Sequence, residues 1–339
     1  MSVTYSPAWW LPGRHAHTLW GRFFRKAESL PLRTERWDTP DGDFLDLVRL
    51  DGAPGSPRLL MLHGLEGTPR SHYVGGMFAE ARRRGWAADL MVFRGCGPEL
   101  NLARRFYHSG ETTDLEFVVG RLLDRHPDGR HPGGPLLLAG VSLGGNVLLK
   151  WLGERSGGVP ERVAGAAAVS VPYDLARGSR HLQRGFARVY ERHFLRSLRR
   201  KAERKMERFP DLVTRERLAG ARTLWDFDDC VTAPVHGFAG AEDYYARSSS
   251  LGYLAGVRVP TLLLSAVDDP FLPPEVLDEV REVARGNPCL EPEFVDVGGH
   301  VGFVSGANPL RPFYYAEWRV ASFLASAAER HAARAGTRR

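Results

Sequence analysis

Lysine is almost missing from this sequence. It occurs only at Lys26, Lys150, Lys201 and Lys205, and the rest of the 46 basic residues are arginine. So one-sided a choice reads as genomic composition, not arginine selected site by site. Cysteine is scarce too: Cys96, Cys230 and Cys289 are odd in number and far apart. They form no disulfide framework and no CxxC metal motif, which suits a reducing cytoplasm. No run approaches the ~18 apolar residues of a membrane span. The stretch MSVTYSPAWWLPGRHAH has no apolar core of the signal-peptide kind. These absences predict a cytoplasmic protein without stable membrane insertion. A strong charge bias is also lacking, since the net charge is +6 over 339 residues. The densest basic stretch, Arg184 to Arg208, is interrupted by Glu191, Glu203 and Glu207. It is expected to be a solvated helix face, so no nucleic-acid partner is expected. His15 and His17 lack further ligands at matching spacing, so no metal is expected.

What is present is an apolar fraction of 43% and a charged fraction of 25%, enough for a sizeable core. The length fits one large domain with an insertion, or two ordinary ones. From about Phe44 onward, apolar runs alternate with helical stretches, which argues for a parallel sheet covered on both faces. Strands are expected at Arg58 to Leu62, Trp86 to Phe93, Leu136 to Ala139, Val163 to Val171, Thr261 to Ala266 and Glu293 to Val297. Helices are expected at about Tyr73 to Arg84, Thr112 to Arg125, Gly145 to Gly153, Pro274 to Arg285 and Pro312 to Ala333. A Pro/Gly-rich turn is expected from Pro127 to Pro135, and a frayed tail from Arg334 to Arg339. Between Pro172 and Leu254 the rhythm stops, and charged helical segments replace the strands. The expected organisation is a core of 1–171 and 255–339, interrupted by a helical insertion at 172–254.

The chemistry begins at Gly140-Val141-Ser142-Leu143-Gly144, a GxSxG match with an apolar strand leading in and an apolar helix leading out. That strand–turn–helix setting presents a serine hydroxyl at a sheet edge. Bulky side chains two residues away on either side would collide with the neighbouring strand and helix. A nucleotide-binding turn is disfavoured, because no GxGxxG or GK[ST] accompanies it. Serine is a weak nucleophile and needs an adjacent base. Later in the chain, Asp268-Asp269 and Gly298-Gly299-His300 follow predicted strands, at the carboxyl ends where open α/β sheets build their sites. The predicted triad is Ser142, His300 as base and Asp269 as its orienting carboxylate. Asp269 is preferred to Asp268 because Pro273 follows it by four residues, positioned to open the next helix. His63, His72 and His108 precede the serine, which this chain order disfavours. His63-Gly64-Leu65-Glu66-Gly67 reads instead as the turn after an early strand. The expected oxyanion donors are the N–H groups of Leu65 and Leu143.

These and other segments resemble the YheT-like α/β-hydrolases (AB hydrolase 4 family). The matching stretches are His17-Thr18, HGLEG from His63, FRGCG from Phe93, YHSGET from Tyr107 and GVSLGGN from Gly140. They continue with FDDCVTAPVHGF from Phe227, DYYARSS from Asp243, VDDPFLP from Val267 and GGHVGF from Gly298. Where the family shows an NPHxQT-type motif, this chain has Arg14-His15-Ala16-His17-Thr18. The resemblance implies an α/β-hydrolase fold: a mostly parallel central sheet flanked by helices, with a helical cap. It also implies a carboxylic-ester hydrolase, and carries its triad onto Ser142, Asp269 and His300. Arg94 and His108 fall in family motifs and are expected to tie loops together. The expected reaction is cleavage of a small-molecule acyl ester of short or medium chain, with no cofactor. An acyltransferase, lipase or thioesterase would use the same triad, and a non-catalytic binding module is the alternative from another class. Dehalogenase and epoxide-hydrolase chemistry needs aspartate at the nucleophile position.

Overall fold

The computed structural model describes residues 4–26, 28–124 and 134–337. The chain opens with α1 (Arg14–Phe24), β1 (Arg33–Asp38), β2 (Phe44–Leu50) and β3 (Arg58–Leu62). There follow α2 (His72–Arg83), β4 (Ala87–Val92), α3 (Thr113–Leu123), β5 (Leu136–Val141), α4 (Leu143–Arg155) and β6 (Val163–Val169). Then come α5 (Leu175–Leu182), α6 (Ala187–Met206), α7 (Arg215–Gly220), α8 (Leu224–Phe227), α9 (Ala233–Val235) and α10 (Ala241–Ser248). The chain closes with β7 (Thr261–Ala266), α11 (Glu275–Arg285), β8 (Leu290–Val295), β9 (Val304–Ser305), β10 (Phe313–Tyr314) and α12 (Tyr315–Thr337).

Eight strands form one sheet in the order β1-β2-β4-β3-β5-β6-β7-β8. β2 runs antiparallel to both neighbours, and the pairs from β4 to β8 are parallel. Every residue of β4, β5, β6 and β7 is buried, as expected of parallel strands covered on both faces. β6 is built of alanine, glycine and valine because α12 lies close against it. A Cβ placed on Gly165 would sit 2.7 Å from the Ala327 Cβ. The α12 helix runs to Thr337, so the frayed tail expected from Arg334 is largely helical, and residues 338–339 lie outside the described residues. Of the turn expected from Pro127 to Pro135, residues 125–133 also lie outside the described residues.

Between β6 and β7 the chain is helical, with no strand among the described residues. The basic stretch in α6 presents the solvated face expected of it, with Arg192, Arg196, Arg200 and Arg204 exposed, but its opposite face is buried. Glu191, Leu195 and Ala202 are buried, and Lys205 is only 2% exposed. The Lys205 ammonium donates to the carbonyls of Asn101 (2.9 Å) and Ala103, and burial pushes its pKa down to about 8. The helix is therefore amphipathic with lysine on its inner face, where long apolar stems carry the charge to buried acceptors.

Arg94 ties loops together, as expected. It is 2% exposed and donates to Asp43 (2.7 Å), Asp114 (2.7 and 2.8 Å) and Asp41 (3.0 Å). The segment before β2 and the first turn of α3 are thus held to the end of β4 through one guanidinium.

Candidate active site

Ser142 stands on the bend between β5 and α4 with φ 54° and ψ −122°, a left-handed backbone rarely adopted by a side-chain-bearing residue. The bend is held at both ends. The Ser142 N–H donates to Val169 O (2.8 Å), and the Asn146 N–H donates to Ser142 O (3.1 Å). The flanking glycines are sterically required. A Cβ on Gly140 would lie 2.5 Å from Gly144 O, and one on Gly144 would lie 2.5 Å from His63 O. The first contact is with the following helix, the second with the end of β3.

The three residues picked from sequence meet above the carboxyl ends of β5, β7 and β8. Ser142 Oγ lies 3.0 Å from His300 Nε2, and His300 Nδ1 lies 2.8 Å from Asp269 Oδ2. Asp269 is 1% exposed, and its Oδ1 accepts the Phe271 N–H at 2.8 Å. A carboxylate facing Nδ1 keeps the ring proton there and leaves Nε2 free to accept from serine. The Phe271 ring stacks on the imidazole at 4.0 Å between centroids. Asp268, next along the chain, faces away from the imidazole and anchors the histidine loop instead. Its Oδ1 accepts the N–H groups of Gly298 and Gly299, both at 2.9 Å.

Two further residues hold that loop, and sequence reasoning missed both. The Thr18 hydroxyl accepts the His300 N–H at 2.9 Å, and the Ser170 hydroxyl accepts the Val301 N–H at 3.0 Å. Gly299 and Gly302 pack so closely on α1 that added Cβ atoms would sit 2.5 Å from Arg14 O and His17 O. The His17-Thr18 match in the early motif was the available signal. Asn146 of GVSLGGN is another such residue. Its amide donates to Ser109 O and Ser248 O (both 2.7 Å) and accepts the Ser250 N–H (2.8 Å), tying three segments together.

The expected oxyanion donors border the same pocket as Ser142 and His300. The loop after β3 approaches the serine closely, since a Cβ on Gly64 would lie 3.2 Å from the Ser142 Cβ. Among the described residues, no acceptor takes the N–H of Leu65 or Leu143. The amides on either side of Leu65 are both engaged. Gly64 N–H donates to the Tyr73 hydroxyl (2.9 Å) and Glu66 N–H to the Tyr107 hydroxyl (2.8 Å). His63 is a strut for this loop: its Nε2 accepts the Phe93 N–H (3.1 Å), so Nδ1–H donates to Gly64 O (2.8 Å).

The pocket is open to solvent and, with its mouth included, spans roughly 1030 Å³. Leu65, Leu182, Phe194, Leu198, Leu224 and Phe271 make much of its wall apolar, and α5, α6 and α8 supply four of those six. His108, Asp228, His236 and Tyr245 make a polar stretch. His108 therefore reaches the pocket, which its expected loop-tying role did not foresee. The Asp228 carboxyl is pushed up to about 6 by burial, and accepts from Tyr245 and Thr232 at 2.6 Å each. Side-chain atoms of His108, Glu111 and His236 lie within 4.8 Å of one another, a separation a metal could bridge. The donor chemistry does not fit one. The Gly110 N–H donates to His108 Nδ1 (3.1 Å), which puts the ring proton on Nε2, the atom facing Glu111. A protonated nitrogen is no ligand.

Burial lowers the pKa of several histidines around this site. His63, His72 and His236 are pushed down to about 4 and His108 to about 3, desolvation being the main cause in each. In the unfolded chain these groups protonate near 6.5. Between the two values the unfolded state holds more protons, so their contribution is complete above pH 6.5 and is lost as pH falls toward 4. Each pKa unit is worth 1.36 kcal/mol, so each such histidine removes roughly 3 kcal/mol at the low end. Thermal unfolding in a pH series should show Tm level above about pH 6.5 and falling steeply below it. An unchanged Tm at pH 4.5 would contradict the buried neutral imidazoles.

Comparisons with known proteins agree with this architecture. Residues 57–307 match the family profile described as alpha/beta hydrolase fold. YheT of Escherichia coli (strain K12), an esterase by name, is 37% identical over 91% of this chain and 89% of its own. Mouse phospholipase ABHD3 is 30% identical over 93% of this chain and 76% of its own. Among solved structures, an esterase of Pyrococcus furiosus superposes with a TM-score of 0.57 at 18% identity, covering 88% of this chain and 91% of that one. No helix among the described residues is long and apolar enough to cross a membrane. By sequence and by fold, the chain belongs to the α/β-hydrolase family and resembles its YheT-like members.

Proposed function

We propose that the protein is a serine hydrolase of carboxylic esters, with Ser142 as nucleophile, His300 as general base and Asp269 as orienting carboxylate. The observation that carries the reading is the unbroken chain of hydrogen bonds from Ser142 Oγ through His300 to Asp269, opening into an apolar pocket. Ser142 attacks the ester carbonyl as Nε2 takes its proton. Charge develops on the carbonyl oxygen, where the N–H groups of Leu65 and Leu143 stabilise it. Protonated His300 then passes its proton to the leaving alcohol, and water releases the acyl group by the same route. The chemistry asks for no cofactor.

In this reading residues 172–254 form a cap over a core of 1–171 and 255–339, and the cap's apolar side chains select the acyl chain. A small short- or medium-chain acyl ester suits the pocket, and no nucleic-acid partner is invoked. Three free cysteines suit a cytoplasmic protein. The names of relatives support ester substrates: besides the esterase and the phospholipase, a monoacylglycerol lipase of Saccharomyces cerevisiae is 29% identical over 80% of this chain and 60% of its own.

A fluorophosphonate probe tests the reading. One probe per chain should attach at Ser142, located by peptide mass spectrometry, and should abolish hydrolysis of p-nitrophenyl butyrate. Labelling elsewhere, or none, would sink the assignment. Turnover in water against turnover with added alcohol separates a hydrolase from an acyltransferase.

A further inference from the structure

We propose that Glu66, gripped by Ser197 and Lys201 of helix α6, is the positioning residue that aims the Leu65 N–H at the reacting carbonyl. The inference rests on the serine-hydrolase reading above. It makes the helical insertion part of the oxyanion site, and not only a wall of the acyl pocket.

The loop between β3 and α2 places Glu66 at φ 54°, a left-handed conformation that long side chains disfavour. Something must hold it, and the contacts show what. The Glu66 N–H donates to the Tyr107 hydroxyl, and that hydroxyl donates back to Glu66 Oε1 at 2.8 Å. One phenol thus closes a ring through the backbone and the side chain of the same residue. The carboxylate then accepts from Lys201 Nζ on Oε1 and from the Ser197 hydroxyl on Oε2, both at 2.5 Å. Hydrogen bonds to a charged carboxylate are roughly twice as strong as neutral ones.

Ser197 and Lys201 are four residues apart on α6, so they share one helix face. Both reach across to a loop more than a hundred positions earlier in the chain. The Lys201 side chain is 10% exposed and that of Glu66 is 11% exposed. The ammonium also lies 3.3 Å from Cys96 Sγ and 5.0 Å from the centre of the Tyr107 ring. Lifting α6 away would break the Lys201–Glu66 ion pair and the Ser197–Glu66 hydrogen bond together. The seat of the insertion and the conformation of residue 66 are therefore coupled. The Leu65 N–H lies in the peptide unit shared with Gly64, and only φ and ψ of Leu65 separate it from the Glu66 amide. With Gly64 N–H held by Tyr73 and Glu66 N–H held by Tyr107, the conformation at residue 66 sets where the Leu65 N–H points. Of the three amides at Gly64, Leu65 and Glu66, it alone has no partner among the described residues. An interaction that sets an oxyanion donor acts on the transition state more than on the bound ester, so the clamp governs kcat more than KM.

The test uses three variants of the full chain: Glu66→Gln, Lys201→Met and the double variant. Active sites are counted by fluorophosphonate titration, so misfolded protein does not enter the rate. With p-nitrophenyl acetate, kcat per labelled site should fall on the order of 10- to 100-fold in each variant, below the 10²–10³ of losing a donor outright. KM should stay within about threefold. Affinity for a trifluoromethyl ketone, which adds Ser142 and forms an oxyanion, should fall by the same factor as kcat/KM. Lys201→Met leaves a buried carboxylate and is the variant at risk of not folding. Glu66→Gln keeps an oxygen that can accept from the Lys201 ammonium, and the double variant leaves neither charge buried, so these two carry the test in that case. If either folds, titrates fully and keeps kcat within twofold, the clamp is refuted. That outcome leaves the serine-hydrolase reading standing, because the wild-type labelling decides it separately.

Discussion

Ser142→Ala should leave hydrolysis of p-nitrophenyl butyrate on the order of 10⁴- to 10⁶-fold below the unmodified protein, with KM little changed. Alanine retains the Cβ, so the backbone at φ 54° gains no new clash and α4 keeps its start. His300 also keeps its position, because Asp269, Phe271 and Thr18 hold it without the serine. Tm should therefore move by only a few degrees, and the lost rate reports chemistry. What survives reflects binding and the two amides acting on water attack. A variant retaining a tenth of the activity would remove Ser142 from the mechanism. The measurement is steady-state hydrolysis with Tm determined on the same preparation.

The second large effect is expected from Asp269→Asn, and its direction is set by one backbone amide. The Phe271 N–H donates to Oδ1, and His300 faces Oδ2. An asparagine here must turn its carbonyl oxygen to the Phe271 N–H. Its amide NH₂ then faces His300 and donates to Nδ1. That forces the imidazole proton onto Nε2, where it points at Ser142 and cannot accept from it. The geometry survives and the tautomer is wrong, a change worth on the order of 10⁴ in kcat. Tm should drop only modestly, because the shape and both hydrogen-bonding directions remain satisfied. A loss under tenfold would mean that Asp269 does not orient the base.

The parts of this fold legible in sequence share a physical cause. β3 and β7 have the bounds their composition predicts, because a parallel strand covered on both faces must be apolar throughout. β1, RTERWD at the sheet edge, carries no such pattern. Its pairing with β2 is held by the ladder and by cross-strand ion pairs such as Arg36–Asp46 (2.8 Å) and Arg49–Glu35 (2.5 Å). α1 was equally opaque, since its role is to lie under the histidine loop. For the candidate site, the serine motif and the later Asp and His were legible because the backbone demands of a tight bend, and chain order, are local facts. What Asp268 does was not, because a strand-end aspartate looks the same whether it faces a ring or two amides.

By itself the sequence determined a parallel sheet interrupted by helices, and which three residues can meet at its edge. Glycine at a cramped bend and apolar runs on buried strands are requirements a short segment states on its own. Only the tertiary structure decided which amides are left free, which lysines are buried and what holds the histidine loop. Tyr73 and Tyr107 occupy the amides around Leu65, Lys201 turns inward to Glu66, and Thr18 supports His300. Each of these pairs groups from separate segments of the chain, with chemistry common enough at any surface to carry no signal until packing removes the water.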